Sequence, residues 1–170
     1  MLGHGSTTSI GDGANPSSVD LSKNQIGEAL GNGYTLTSKT IQRKHPYRFV
    51  FLYGCNTADV PEWSDAFGIR QTVTVAQANK GLAQAFVGWQ GAPRAPGTDT
   101  QAWYDFSVSL ELFFQSWMQG RNLEQCKAIA QNPALRWPFN KKFTTGNTNH
   151  MNNAKLTTYG YPLLKRNNFD

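Results

Sequence analysis

The sequence predicts an α/β protein with a parallel-rich sheet and helices on both faces, and three stretches carry that expectation. Tyr47 to Tyr53 is aromatic and β-branched on both parities, which suits a central parallel strand covered on two sides. Ala83 to Trp89 is a second apolar run and reads as the next main strand. Between Thr100 and Gln119, Trp103, Phe106, Leu110, Phe113, Phe114 and Trp117 recur at helical spacing, an apolar stripe expected to lie on the sheet. With 170 residues the chain is one domain by length, enough to bury roughly 70% of its unfolded surface.

The elements follow from local chemistry in order. Gly3-His4-Gly5-Ser6 brackets a histidine with glycines, so the backbone can turn sharply and approach another group closely. His4 is either a frayed, solvated end or the close of a strand whose body lies upstream of Met1. Thr7 to Ser22 is rich in Gly, Ser, Asn and Asp and predicts a loop. Ser22 either caps a short helix over Lys23 to Leu30 or that segment lies extended; Gly31-Asn32-Gly33 ends both versions. Thr37 to Lys44 reads as a helix that stops before His45-Pro46, because a residue ahead of proline is pushed out of the helical region. His45 therefore belongs to a turn.

After the Tyr47 strand, Pro61 to Phe67 reads as a turn or two of helix. Proline suits its first position, acidic groups suit its first turn, and Gly68 ends it. Thr72 to Val75 alternates and is open to local pairing. Pro93 to Thr98 is a loop by composition, Thr98 or Asp99 caps the long helix, and Gly120 terminates it. Asn122-Leu123-Glu124-Gln125 has the pattern of a capping box and starts a helix to Gln131, with Cys126 beside Leu123, Ile129 and Ala130 on its apolar side. Past Pro133 the chain is Asn, Thr and Lys-rich, and His150 reads as solvated. Lys155 to Tyr159 forms the last strand.

Composition excludes several function classes. The net charge is +5, but the basic residues are scattered, with Arg43-Lys44, Lys141-Lys142 and Lys165-Arg166 the only tight pairs. A nucleic-acid partner calls for a basic stripe with interleaved aromatics, so none is expected. No run reaches the ~20 apolar residues of a membrane span. Two cysteines and three histidines lie far apart without ligand spacing, so neither a disulfide framework nor a metal site is expected. No phosphate loop or dinucleotide fingerprint is present, and no cofactor is expected. The amino terminus has no basic segment followed by an apolar one and does not read as a signal peptide; localisation stays open, because a leader can sit on a longer parent polypeptide.

The chemistry points to Cys55. Gly54 lets the backbone bend where the Tyr47 strand gives out, and ligands in open α/β sheets gather beyond the carboxyl ends of strands. Cys55 is followed by the polar Asn56-Thr57-Ala58-Asp59, unlike a core cysteine. It reads as a nucleophile against the alternative of an idle thiol, whereas Cys126 reads as a packing residue. An oxyanion loop of an α/β hydrolase at Gly3 to Ser6 is a further reading, but Tyr53-Gly54-Cys55-Asn56-Thr57 lacks the flanking glycines of a nucleophile elbow.

Gly3-His4-Gly5, Phe49-Val-Phe-Leu-Tyr-Gly-Cys55-Asn-Thr-Ala58 and Ala85-Phe-Val-Gly-Trp89 together resemble a caspase-like cysteine peptidase domain of clan CD, in its CHAT and gingipain-like branches. The long helix, the one after it, and Tyr159-Gly160-Tyr161-Pro162-Leu163 extend the likeness, although the family often has Gly-Asp-Pro where Tyr161 stands. The resemblance implies a sheet with His and Cys at the carboxyl ends of neighbouring strands. Cys55 is then the nucleophile and His4 the general acid/base. The N–H groups of Gly5 and Cys55 form the oxyanion site, Trp89 and Gln90 line the substrate pocket, and a protein or peptide is the substrate. The family carries further strands and helices ahead of its Gly-His-Gly turn, so a truncated domain, or the carboxyl-terminal part of one, is expected. The Tyr47 strand is then an open edge, completed by an upstream segment or another chain. The competing reading is a catalytically inactive peptidase-like scaffold. Asp59, Glu62 and Asp65 either read a basic substrate side chain or cap a helix.

Overall fold

The computed structural model describes residues 4–11, 21–30, 47–92, 100–136 and 154–169, with His4, 100–105, 136 and 169 described by backbone alone. The expected helix over Thr37 to Lys44, His45, the loop and cap over residues 93–99, and His150 lie outside the described residues. The fold is mixed α/β, and the chain divides into two compact units, Met1–Gln90 with Thr157–Pro162 and Gly91–Leu156 with Leu163–Asp170.

The first unit opens with three short antiparallel strands in the order β1 (His4–Gly5), β2 (Ser9–Gly11), β3 (Leu21–Ser22). The sequence predicts only a loop over Thr7 to Ser22; residues 12–20 of it lie outside the described residues, and Thr7 and Thr8 sit in the hairpin turn between β1 and β2. Ser6 N–H donates to the Ser9 carbonyl at 2.9 Å, and Ser6 Oγ accepts the N–H groups of Thr8 and Ser9 at 3.0 and 2.9 Å. One buried apolar residue, Ile10, ties the hairpin to the core, too short a signal to show periodicity. Of the two readings after Ser22 the helix holds: α1 (Lys23–Ala29) starts with a reciprocal capping box between Ser22 and Gln25.

Parallel β4 (Phe49–Leu52) and β5 (Ala85–Gln90) run in register from Phe49 opposite Ala85 to Leu52 opposite Gly88. Between them come α2 (Glu62–Ala66), α3 (Val75–Gln77) and a π-helical turn over Ala78–Leu82. Pro61 is the cap of α2 rather than its first residue. The α3 start has its own capping box, Thr74 with Gln77, so only Thr72 of the alternating Thr72 to Val75 pairs locally, in a bridge to Gly160.

The third strand, β6 (Lys155–Gly160), completes the order β4-β5-β6. It runs antiparallel to β5, since Tyr161 N–H donates to the Gln84 carbonyl at 2.8 Å while Thr157 Oγ1 reaches Gln90 Oε1 at 3.3 Å. Among the described strands the parallel pairing expected of the sheet joins β4 and β5, with a single parallel bridge from Thr72 to Gly160 at the end of β6. Among the described residues β4 is an edge strand with Phe49, Val50 and Phe51 half-buried, not a central one.

Leu52, Ala58, Trp63, Ile69 and Phe86 form the core of this unit with Ile10, and Ile26, Val50, Phe67 and Tyr159 pack against it. Phe86 is fully buried, with rings of Phe67 and Tyr159 beside it at centroid distances of 6.3 Å each. Phe86→Ala is expected to cost about 3–5 kcal/mol in urea unfolding.

The second unit holds α4 (Thr100–Met118), α5 (Leu123–Ala130), α6 (Pro133–Arg136) and a 3-10 turn over Arg166–Phe169. Within it α4 packs on α5, and Asn122 and Gln125 make the capping box that the sequence shows. The buried face of α4 carries Phe106, Ser109, Leu112, Phe113, Ser116 and Trp117, whereas Phe114 is exposed. The stripe is therefore rotated from the one the large residues suggest. Ser109 and Ser116 are small enough to lie on the packed side, where an apolar count overlooks them.

Candidate active site

Beyond Leu52 the chain leaves the sheet through buried Tyr53 and Gly54 and turns over residues 55–58. The Gly54 N–H donates back to the Leu52 carbonyl at 3.2 Å, and Asp59 N–H closes the turn on the Asn56 carbonyl at 3.3 Å. Asn56 sits in the left-handed region at φ 56°, which short polar side chains tolerate best. On the β5 side, Ala58 N–H donates to the Trp89 carbonyl at 2.9 Å. Tyr159 adds its hydroxyl to the Ala58 carbonyl at 2.9 Å. The turn that carries Cys55 is thus tied to both neighbouring strands.

The hairpin lies across this turn. A Cβ on Gly5 would stand 2.7 Å from the Cys55 carbonyl oxygen, 2.8 Å from the Gly54 carbonyl carbon and 2.9 Å from the Cys55 nitrogen. Only a residue without a side chain allows that approach. Two anchors hold it: Ile10 in the core, and the Trp63 Nε1–H donating to the Ser6 carbonyl at 3.1 Å. Because Ser6 and Ser9 form a hydrogen-bonded pair, the alternation of an antiparallel ladder makes Gly5 and Ile10 a non-hydrogen-bonded one. The Gly5 N–H therefore faces away from β2.

The backbone of His4 is consequently one residue from a direct contact with the Cys55 peptide, although the two are far apart in sequence. The His4 side chain lies outside the described part of the molecule. Trp89 is fully buried, its ring 6.1 Å from that of Tyr53, and meets the turn through its backbone. Gln90 is exposed. Of the acidic residues, Asp65 is buried and accepts from Gln71 Nε2 at 2.8 Å, so a contact with the segment after α2 already employs it. Glu62 shares the first turn of α2, while Asp59 is exposed.

Both thiols are free. Burial pushes the half-buried Cys55 thiol up from its ordinary 9.0, with its own backbone N–H pulling the other way. Burial likewise pushes Cys126 up to about 11, opposed by the charge of Arg121. For Cys126 the unfolded thiol ionises first, so between about 9 and about 11 the folded state holds the extra proton and loses stability as pH rises. Urea unfolding over that window should show a downward slope that Cys126→Ala makes shallower.

Among the described residues no group of His, Cys, Asp and Glu could hold a metal ion, and no helix is long and apolar enough to cross a membrane. Comparison with known proteins gives no family model, no curated protein and no solved structure that matches this chain.

Proposed function

We propose that the chain carries a caspase-like cysteine peptidase site with Cys55 as nucleophile and His4 as general acid/base. One observation carries the reading: the Gly5 backbone packs directly on the Gly54–Cys55 peptide, just beyond the carboxyl end of a parallel strand. Gly5 follows His4 directly, so tertiary packing makes the backbone that carries the histidine a neighbour of the turn that carries Cys55. The raised thiol explains what the imidazole is for, since an isolated Cys55 is largely protonated near neutrality.

In this mechanism His4 removes the Cys55 Sγ proton and the thiolate adds to the scissile carbonyl carbon. The carbonyl oxygen becomes an oxyanion facing the Gly5 and Cys55 N–H groups. Collapse breaks the C–N bond, and His4 returns the proton to the departing amine. A thioester on Cys55 remains. Water, deprotonated by His4, adds to it, and the acid product leaves as the thiol is restored. Gln90, exposed beside the turn-bearing strands, is the candidate contact for substrate backbone.

A second reading is favoured by the half-buried Cys55 thiol, which burial holds above its ordinary 9.0. In it the domain is a peptidase-like scaffold whose thiol is idle. Release of fluorescent peptides from labelled casein separates the two. The peptidase reading expects cleavage that Cys55→Ala reduces at least about 10³-fold; equal activity of the two proteins, or none in either, supports the scaffold.

A further inference from the structure

We infer that Thr57 is the positioning residue that aims the Cys55 N–H at the developing oxyanion, an inference that rests on the cysteine-peptidase reading above. Thr57 is fully buried beneath the turn. Its hydroxyl donates to the Gly54 carbonyl, 2.8 Å away, with the Leu52 carbonyl at 3.1 Å as the alternative acceptor. The same oxygen accepts the Trp89 N–H at 3.2 Å. Both backbone polar groups of Trp89 thus serve the turn, one through Thr57 and one through Ala58.

The consequence follows from peptide geometry. The Gly54 carbonyl and the Cys55 N–H belong to one planar trans unit and point in opposite directions. Drawing that carbonyl inward to a buried hydroxyl turns the N–H away from the Thr57 side, while Gly5 packs over the face of the same peptide. No backbone or side-chain oxygen among the described residues accepts from the Cys55 N–H, whose interaction there is with its own Sγ. Immediately afterwards Asn56 adopts its left-handed conformation, which persists because the bonds around it fix the turn on both sides. Gly88 permits the arrangement from β5: a Cβ there would stand 2.7 Å from Thr57 Oγ1.

Two reagents separate an aimed donor from a merely well-packed turn. p-Nitrophenyl acetate acetylates the thiolate through a tetrahedral oxyanion and expels p-nitrophenolate. Iodoacetamide alkylates the same sulfur by displacing iodide, with no oxyanion. Rates at Cys55 are read by mass spectrometry of its peptide in the full chain. Thr57→Val, which keeps the shape and removes the hydroxyl, is expected to slow acetylation about 10–100-fold. Alkylation should stay within about 2-fold, and Thr57→Ser should recover most of the acetylation. A parallel fall in both reactions, or no fall in either, overturns the inference.

Should Thr57→Val not fold, the wild-type amide decides. The Cys55 N–H is expected to exchange with deuterium far faster than that of Cys126, which donates to the Asn122 carbonyl at 2.9 Å. Comparable protection of the two overturns the inference. Failure of the underlying reading looks different: wild-type Cys55 would then react with both reagents no faster than the thiol of the denatured chain.

Discussion

On the proposed peptidase reading, Gly5→Ala is expected to eliminate turnover and to lower stability together. The new Cβ would lie 2.7 Å from the Cys55 carbonyl oxygen and 2.8 Å from the Gly54 carbonyl carbon, both backbone atoms held in a turn that is bonded to two strands. Neither can yield as a flexible side chain would, so the hairpin must lift. Lifting separates the Gly5 N–H from the Cys55 N–H and carries His4 away with it. Loss of one oxyanion donor alone slows acyl transfer about 10²–10³-fold. Displacement of the histidine adds to that, and overpacking costs about 1–3 kcal/mol. Acetylation of Cys55 by p-nitrophenyl acetate and thermal unfolding measure the two consequences. A variant with normal rates and an unchanged melting temperature would mean that the hairpin does not rest on the turn.

Gly160→Ala is expected to be the most destabilising single methyl in the first unit. Gly160 has φ 100°, where a side chain is strongly disfavoured. A Cβ there would overlap the Gln84 carbonyl oxygen and come within 2.9 Å of the Ala85 Cα. The same residue donates its N–H to the Gln71 carbonyl at 2.9 Å, and its carbonyl accepts from Val73 at 3.3 Å. The end of β6 is thereby joined to residues 71–73, which a shift would disrupt. The expected cost is about 4 kcal/mol or more in urea unfolding, at the upper end for one substitution. A cost below about 1 kcal/mol would show that β6 adjusts freely against β5.

What could be read from the residues alone divides along physical lines. Phe49 to Leu52 and Ala85 to Trp89 are apolar without interruption, so a strand reading needs no tertiary knowledge. Asn122 with Gln125 is likewise local, because a capping box closes within one helical turn. The hairpin at Ser9 to Gly11 depends on Ile10 finding Leu52 and Trp63, contacts that no local window contains. The turn chemistry could be read only in part. Gly54 and Cys55 advertise a bend at the strand end, but the Thr57 hydroxyl acquires its role from Trp89, a partner on another strand. Trp89 itself shows the limit of inference by position. Its place at the tip of β5 suggests a substrate contact, while its ring lies fully within the core.

The pH dependence of Cys55 alkylation in the wild type and in His4→Ala bears most directly on the dyad. Burial alone holds the thiol above its ordinary 9.0, so without a partner its reaction with iodoacetamide should rise only in alkaline solution. Pairing with the His4 imidazole predicts fast alkylation of the wild type near neutral pH. His4→Ala should move the rise back to the alkaline side while Cys126, buried and ionising near about 11, stays unreactive in both. Superimposable alkaline profiles for the two proteins would contradict the pairing of His4 with Cys55.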